Sequence, residues 1–122
     1  MRNPSAKQQA LDHAEKLTKE KAEVEAVAKK HNAAKVVLLK VPLNDEYTEF
    51  AIGYIKYPER EDVSIAMTFK DTDPLRGKQI ILENNWLEGD RRIIDDTETF
   101  LSACTVLDDV LAVRQAMLKK NW

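Results

Sequence analysis

The amino-acid sequence predicts an α+β fold: a long N-terminal helix, a β-hairpin and then three packed α-helices. Charged residues make up 33% of the chain and hydrophobic residues 43%, while Gly and Pro are few, a balance typical of a folded, helix-rich protein. Apolar and β-branched residues form two short runs between residues 36 and 57, and helical patterns surround them. Because 122 residues support one hydrophobic core, we expect a helical arm over residues 1–34 and one domain over residues 35–122.

The N-terminal arm is predicted to be a single helix. Residues 5–31 contain neither Pro nor Gly, and good helix formers dominate them. The apolar row of this helix comprises Ala10, Ala14, Leu17, Val24 and Ala28. Most of the row is alanine and Lys21 interrupts it, so the helix buries little surface on its own chain. We therefore expect the helix to protrude or to complete its burial on a partner, with Leu17 and Val24 as candidate partner-binding residues.

The hairpin strands are predicted at residues 36–41 and 47–57, on either side of a polar turn at residues 44–46. In the second strand, Phe50, Ile52 and Tyr54 share one face, and Ala51, Gly53 and Ile55 share the other. Both faces are largely apolar, and an isolated hairpin is only marginally stable in water. We expect helices to cover the faces, or strands of another subunit to extend the hairpin.

Local signals define the first and last helices of the domain. Pro58 ends the second strand, and the acidic residues that follow suit the start of a helix over residues 59–70. Asp96 is the expected N-cap of a helix over residues 97–120. Cys104 lies among apolar residues in this last helix, so we expect a buried, unreactive thiol.

The middle helix is predicted over residues 74–87. Asp73 precedes a proline and provides an N-cap, while Gly89 stands where a left-handed C-cap is expected. The double asparagine at residues 84–85 and Trp86 could form a ligand site or could end the helix. We favour the second interpretation, in which the amides bond to end carbonyls and Trp86 anchors the terminus in the core.

Charge and hydropathy indicate which partners to expect. Residues 1–40 carry nine basic and five acidic residues, and residues 41–122 carry ten and sixteen. A solvated helix face or attraction of the basic head to an acidic surface would explain this asymmetry. The pI of 5.7 and the acidic residues in the head argue against nucleic-acid binding. The sequence has no long apolar run and no secretory leader. We therefore expect a cytosolic protein that does not contact a membrane.

No metal, cofactor or catalytic motif is predicted. His13 and His31 lack the spacing of a zinc site, and no Gly-rich phosphate-binding loop occurs. The densest carboxylate cluster comprises Asp90, Asp95, Asp96 and Glu98. Neutralisation by Arg91 and Arg92 explains this cluster most simply. A carboxylate-dependent hydrolase is the alternative, and it requires a concave pocket around Asp90, Asp95 and Asp96.

One family resemblance covers residues 36–118. The order and spacing of four segments carry it: the strand end at residues 41–43, the strand exit at 57–58, the helix start at 73–75 and the helix end at 85–90. These segments lie within two longer stretches, VPLNDEYTEFAIGYIKYPEREDVSIAM at residues 41–67 and DPLRGKQIILENNWLEGDRRIIDDTETFLSA at residues 73–103. This pattern resembles the small tail assembly chaperones of long-tailed bacteriophages.

The resemblance implies a non-enzymatic chaperone in the cytoplasm of an infected bacterium. Such proteins self-associate into homo-oligomers, coat the tape measure protein and are displaced as tail tube subunits polymerise, and the family supplies no catalytic positions. The alternative is a small structural or adaptor component of the virion that docks a neighbour through its N-terminal helix. Four further candidate client-binding residues are Met67, Phe69, Trp86 and Met117.

Overall fold

The computed structural model describes residues 19–120 of the chain, and the side chains of residues 19–118. It has an α+β fold, which confirms the predicted class. In chain order the described elements are α1 (residues 19–30), β1 (Val36–Pro42), β2 (Phe50–Lys56), α2 (Arg60–Phe69), α3 (Pro74–Asn85), β3 (Trp86–Gly89), α4 (Arg92–Asp95) and α5 (Thr97–Lys120). The described part of α1 is short. The helix predicted ahead of residue 19, including the candidate Leu17, lies outside the described residues.

The described strands form one antiparallel sheet in the order β1-β2-β3. The hairpin of β1 and β2 is confirmed, with Val36 opposite Lys56 and Pro42 opposite Phe50. Alternation along the strands directs one apolar set inward. The buried strand residues are Leu39, Val41, Ala51, Gly53 and Ile55. This inner face is covered by helices, with α5 packed on β1 and α4 on β2.

The third strand corrects the prediction for residues 86–89. These residues were expected to end a helix, but α3 ends at Asn85 and β3 begins at once, with Tyr54 of β2 opposite Glu88. Gly89 is therefore not a helix cap. It has φ 130° and lies so close to β2 that an added Cβ would come within 2.6 Å of the Gly53 Cα, so only glycine fits there. β3 pairs with the edge of β2 that β1 leaves free. At this edge the hairpin is therefore extended by the same chain and not by a strand of another subunit.

The connector after β3 also differs from the prediction. Within the described residues four helices follow the hairpin rather than three, because residues 92–95 form the short helix α4. Its Ile93 and Ile94 are buried in the core. The larger core is made by β1, β2, α3 and α5, through Leu39, Ile55, Ile81, Leu82, Ala103 and Leu107. Apolar burial at this short helix explains why the connector folds instead of remaining a loop.

Both predicted helix caps are confirmed. The Asp73 carboxylate accepts a hydrogen bond from the Arg76 backbone N–H at 3.2 Å, and Asp96 accepts one from the Thr99 N–H at 3.1 Å. The prediction of a buried thiol is also confirmed, because Cys104 is free and only 4% exposed. Burial raises the pKa of this thiol to about 11, so it remains protonated at neutral pH.

The described part of α1 packs on the outer face of the sheet. Glu20 forms an ion pair with Lys40 of β1 at 2.9 Å, and Lys30 forms one with Glu88 of β3 at 2.7 Å. Val27, on the same side of α1, is buried. The expectation that the helix protrudes is therefore wrong for residues 19–30, because the apolar outer face of the sheet and its charges provide a docking surface.

Among the described helices, none has both the length and the apolar composition that crossing a membrane requires.

Candidate functional site

The candidate protein-binding site is an open groove between α2 and α5, called here the α2–α5 groove. Its volume is about 300 Å³. It is lined by Val63, Ala66, Met67, Lys70, Pro74, Lys78, Asp108, Leu111, Ala112 and Gln115. Val63 and Leu111 form its buried floor, while Met67 is 60% exposed at its rim. The groove thus presents apolar surface to solvent beside the folded core.

Helical spacing explains how α2 builds its side of the groove. Val63, Ala66 and Met67 are three and four residues apart, so their side chains share one face of the helix. Val63 extends into the core and Met67 extends outward. Ala66 contributes only a methyl group, as does Ala112 across the groove on α5. These small side chains leave the space between the helices unfilled.

Charged groups border the apolar floor. Lys78 of α3 lies 3.0 Å from the Asp108 carboxylate of α5, an ion pair that ties the two helices together at the groove. Lys70 is exposed at the end of α2. An apolar centre with a polar rim is the usual arrangement of a protein–protein contact surface.

Two of the other candidate residues pack inside the protein. Phe69 is half-buried and lies against α3. A Cβ added at Gly77 of α3 would be 2.9 Å from the Cβ of Phe69. Trp86 is also half-buried and packs on the core, with its ring over Gly53 of β2. The Arg91 guanidinium lies 5.3 Å from the centre of the Trp86 ring. Both aromatic side chains therefore stabilise the fold in this structure.

The remaining described candidates lie apart from the groove. Val24 is half-buried on α1, whose described part docks on the sheet. Met117 is 42% exposed on α5, and its sulfur accepts a long hydrogen bond from the Tyr57 hydroxyl at 3.9 Å. Of the described candidates, Met67 is the one that lines the groove.

Sequence reasoning missed the small residues of the groove. Ala66 and Ala112 lie on helices far apart in the chain, and nothing in either helix alone indicates that the two face each other. The spacing of Val63, Ala66 and Met67 is the signal that could have identified one wall. The opposite wall depends on how α5 packs across α2.

The double asparagine lies in the last turn of α3 as predicted, although the helix ends two residues earlier than expected. The buried Asn85 amide donates one hydrogen bond to the Ile81 carbonyl and another to the Asp62 carboxylate, both at 2.9 Å. Asp62 also accepts a hydrogen bond from the backbone N–H of Glu59 at 2.8 Å. Asn85 therefore joins the end of α3 to the first turn of α2, while Asn84 is exposed.

The carboxylate cluster is divided among separate interactions. Asp90 binds the Arg92 guanidinium through both oxygens, with a shortest distance of 2.6 Å, and these hydrogen bonds lower the pKa of Asp90. Asp96 caps α5, and its hydrogen bonds from Thr99 lower the pKa of Asp96. Asp95 is exposed and 3.9 Å from Arg91. The three carboxylates therefore have different partners.

A cavity of about 560 Å³ does lie beside part of this cluster, between the hairpin turn and the start of α5. Asp96 and Glu98 line it together with Arg92, whereas Asp90 and Asp95 are not among its lining residues. The hydrolase hypothesis requires one pocket lined by Asp90, Asp95 and Asp96. Of these three residues, this cavity is lined by Asp96 alone. Among the described residues, no group of three or more His, Cys, Asp or Glu is arranged to hold a metal ion.

Comparison of the chain with protein-family models, with curated proteins and with solved structures finds no match to any of them.

Proposed function

We propose that this chain is a non-enzymatic tail assembly chaperone that binds a helical segment of a phage tape measure protein in the α2–α5 groove. The observation that supports the proposal most is the exposed Met67 above an apolar floor of Val63 and Leu111. An amphipathic helix commonly docks in such a groove through apolar side chains one turn apart. The sequence resemblance over residues 36–118 supplies the identity of the client.

The size and composition of the groove suit reversible binding. A volume of about 300 Å³ is at the small end of protein binding pockets, so it accommodates a few anchoring side chains and not a whole helix. Methionine at the rim adapts its shape to different apolar partners because its side chain is unbranched and flexible. Weak, adaptable contacts fit a chaperone that tube subunits displace.

Two observations favour this proposal over its alternatives. An adaptor that docks through its N-terminal helix needs a free apolar face, yet in the described part of α1, residues 19–30, Val27 is buried. A hydrolase needs carboxylates that converge, yet Asp90 binds Arg92 and Asp96 caps α5. No described residue covers the exposed apolar surface of the α2–α5 groove in this way.

A charge introduced at the groove rim tests the proposal. Met67→Glu would place a carboxylate over the apolar floor, where a bound client would have to desolvate it. We expect the affinity for tape measure segments from the same genome to fall at least about tenfold, as for a central interface residue. Calorimetric titration of the purified chain with overlapping segments measures this change.

Leu101→Glu is the matched control, because Leu101 is 45% exposed on α5 and does not line the groove. It should bind the same segments with unchanged affinity. Equal affinity in Met67→Glu and the wild-type chain, or an equal loss in both variants, would contradict the proposal.

A further inference from the structure

A second pocket lies at the end of the sheet, and it shares no residue with the α2–α5 groove. This sheet-end pocket has a volume of about 340 Å³. It is lined by Asn32, Ala33, Ala34, Lys35, Lys56, Tyr57, Glu59 and Arg114. Three of these side chains are basic and one is acidic, so the pocket carries excess positive charge in a chain whose net charge is −2.

Arg114 has unused hydrogen-bonding capacity in this pocket. Its Nε atom is buried and has no hydrogen-bond partner, the sole side-chain atom in that condition among the described residues. Its Nη2 atom lies 3.4 Å from Glu59, which is a long contact to a carboxylate that is 74% exposed. A buried donor without an acceptor is uncommon in proteins, so the described residues satisfy the Arg114 side chain incompletely.

Tyr57 holds two of the cations in position. The Arg114 guanidinium lies 5.6 Å from the centre of the Tyr57 ring, and the Lys35 ammonium lies 4.1 Å from it. Lys35 and Lys56 form no ion pair with a described residue. Three cations therefore line the pocket, two of them positioned by Tyr57, and Glu59 is the one acidic lining residue.

We propose that the sheet-end pocket binds a carboxylate of an acidic peptide segment on a protein partner. The Arg114 side chain lines the pocket and is 23% exposed, and the planar N–H groups of a guanidinium match the two oxygens of a carboxylate. Lys35 and Lys56 add positive charge for neighbouring acidic residues of the same segment. This site is independent of the groove and of the identity of any client held there.

Titration with a short polyglutamate peptide, followed by the arginine side-chain N–H signals in NMR spectra, tests the proposal. The peptide should shift the Arg114 Nε signal in a saturable manner and leave the signal of the exposed Arg76 unchanged. Arg114→Gln should weaken binding of the peptide about tenfold, and Arg76→Gln should not. A parallel titration with inorganic phosphate distinguishes a peptide site from a general anion site.

Glu59→Gln provides a test that does not depend on Arg114 tolerating substitution. This change removes the competing carboxylate at an exposed position, so the peptide should bind several-fold more tightly. No shift at the Arg114 Nε, a response to phosphate without a response to the peptide, or unchanged binding in Glu59→Gln would each overturn the proposal.

Discussion

At the scale of single residues, the buried contact between Asn85 and Asp62 links the end of α3 to the start of α2. Both side chains are at least nine-tenths buried, and the Asn85 amide supplies a donor to the Asp62 carboxylate. A buried carboxylate that loses such a donor has no access to water to replace it. The buried Asn85 before Trp86 thus has a structural role that needs no ligand.

Removing the Asn85 amide should destabilise the fold. We expect Asn85→Ala to lower the free energy of unfolding by about 2 kcal/mol, because the buried Asp62 carboxylate loses the hydrogen bond that the Asn85 amide donates. Urea denaturation measures the change. Asn84→Ala is the control at the exposed neighbouring position and should stay within about 0.5 kcal/mol of the wild type. Similar stabilities for the two variants would show that the buried amide has no special role.

At the scale of elements, signals within a helix were predictable and contacts between distant segments were not. Asp73 and Asp96 could be identified as caps because a cap acts on N–H groups two or three residues away. The strand at residues 86–89 could not be predicted, because its conformation depends on the free edge of β2, about thirty residues earlier in the chain. Tertiary pairing therefore overrode a helical pattern.

The docking of α1 was missed for a related reason. Its predicted apolar row is narrow and does not include Val27, which is buried in the structure. Ion pairs across the contact, such as that between Lys30 and Glu88, join residues that no local pattern connects. The contribution of a helix to a fold depends on the surface it meets as well as on its own sequence.

The docking of α1 should weaken in acid. Hydrogen bonds from Lys30, and then from His31, lower the pKa of Glu88 below its usual 4.5. Because the pKa of Glu88 is lowered in the docked state, its ionised carboxylate stabilises docking at pH values above the ordinary pKa. This stabilisation is lost as the pH falls through the lowered pKa. We expect hydrogen exchange of the α1 amides to accelerate relative to those of α5 as the pH falls below 4.5.

Glu88→Gln should remove most of this pH dependence, since the uncharged amide cannot titrate. Glu83→Gln, at an exposed position on α3, should retain it. If α1 exchange has the same pH profile in all three proteins, Glu88 does not control the docking of the helix.

At the scale of the whole molecule, the described surface separates two kinds of contact. The α2–α5 groove has an apolar floor and lies among the helices, whereas the sheet-end pocket is basic and lies where the strands end. Met67 of the groove was predictable as an apolar residue on an amphipathic helix. Its exposure was not, because the same spacing serves residues that a neighbouring helix covers completely.

We propose that Met67 faces a client polypeptide, and site-specific photo-crosslinking in phage-producing cells tests this most directly. A photoreactive amino acid at position 67, but not one at the exposed position 101, should form a covalent adduct identified by mass spectrometry as tape measure protein. Adducts to tape measure protein in equal amounts from both positions, or none from position 67, would contradict the account.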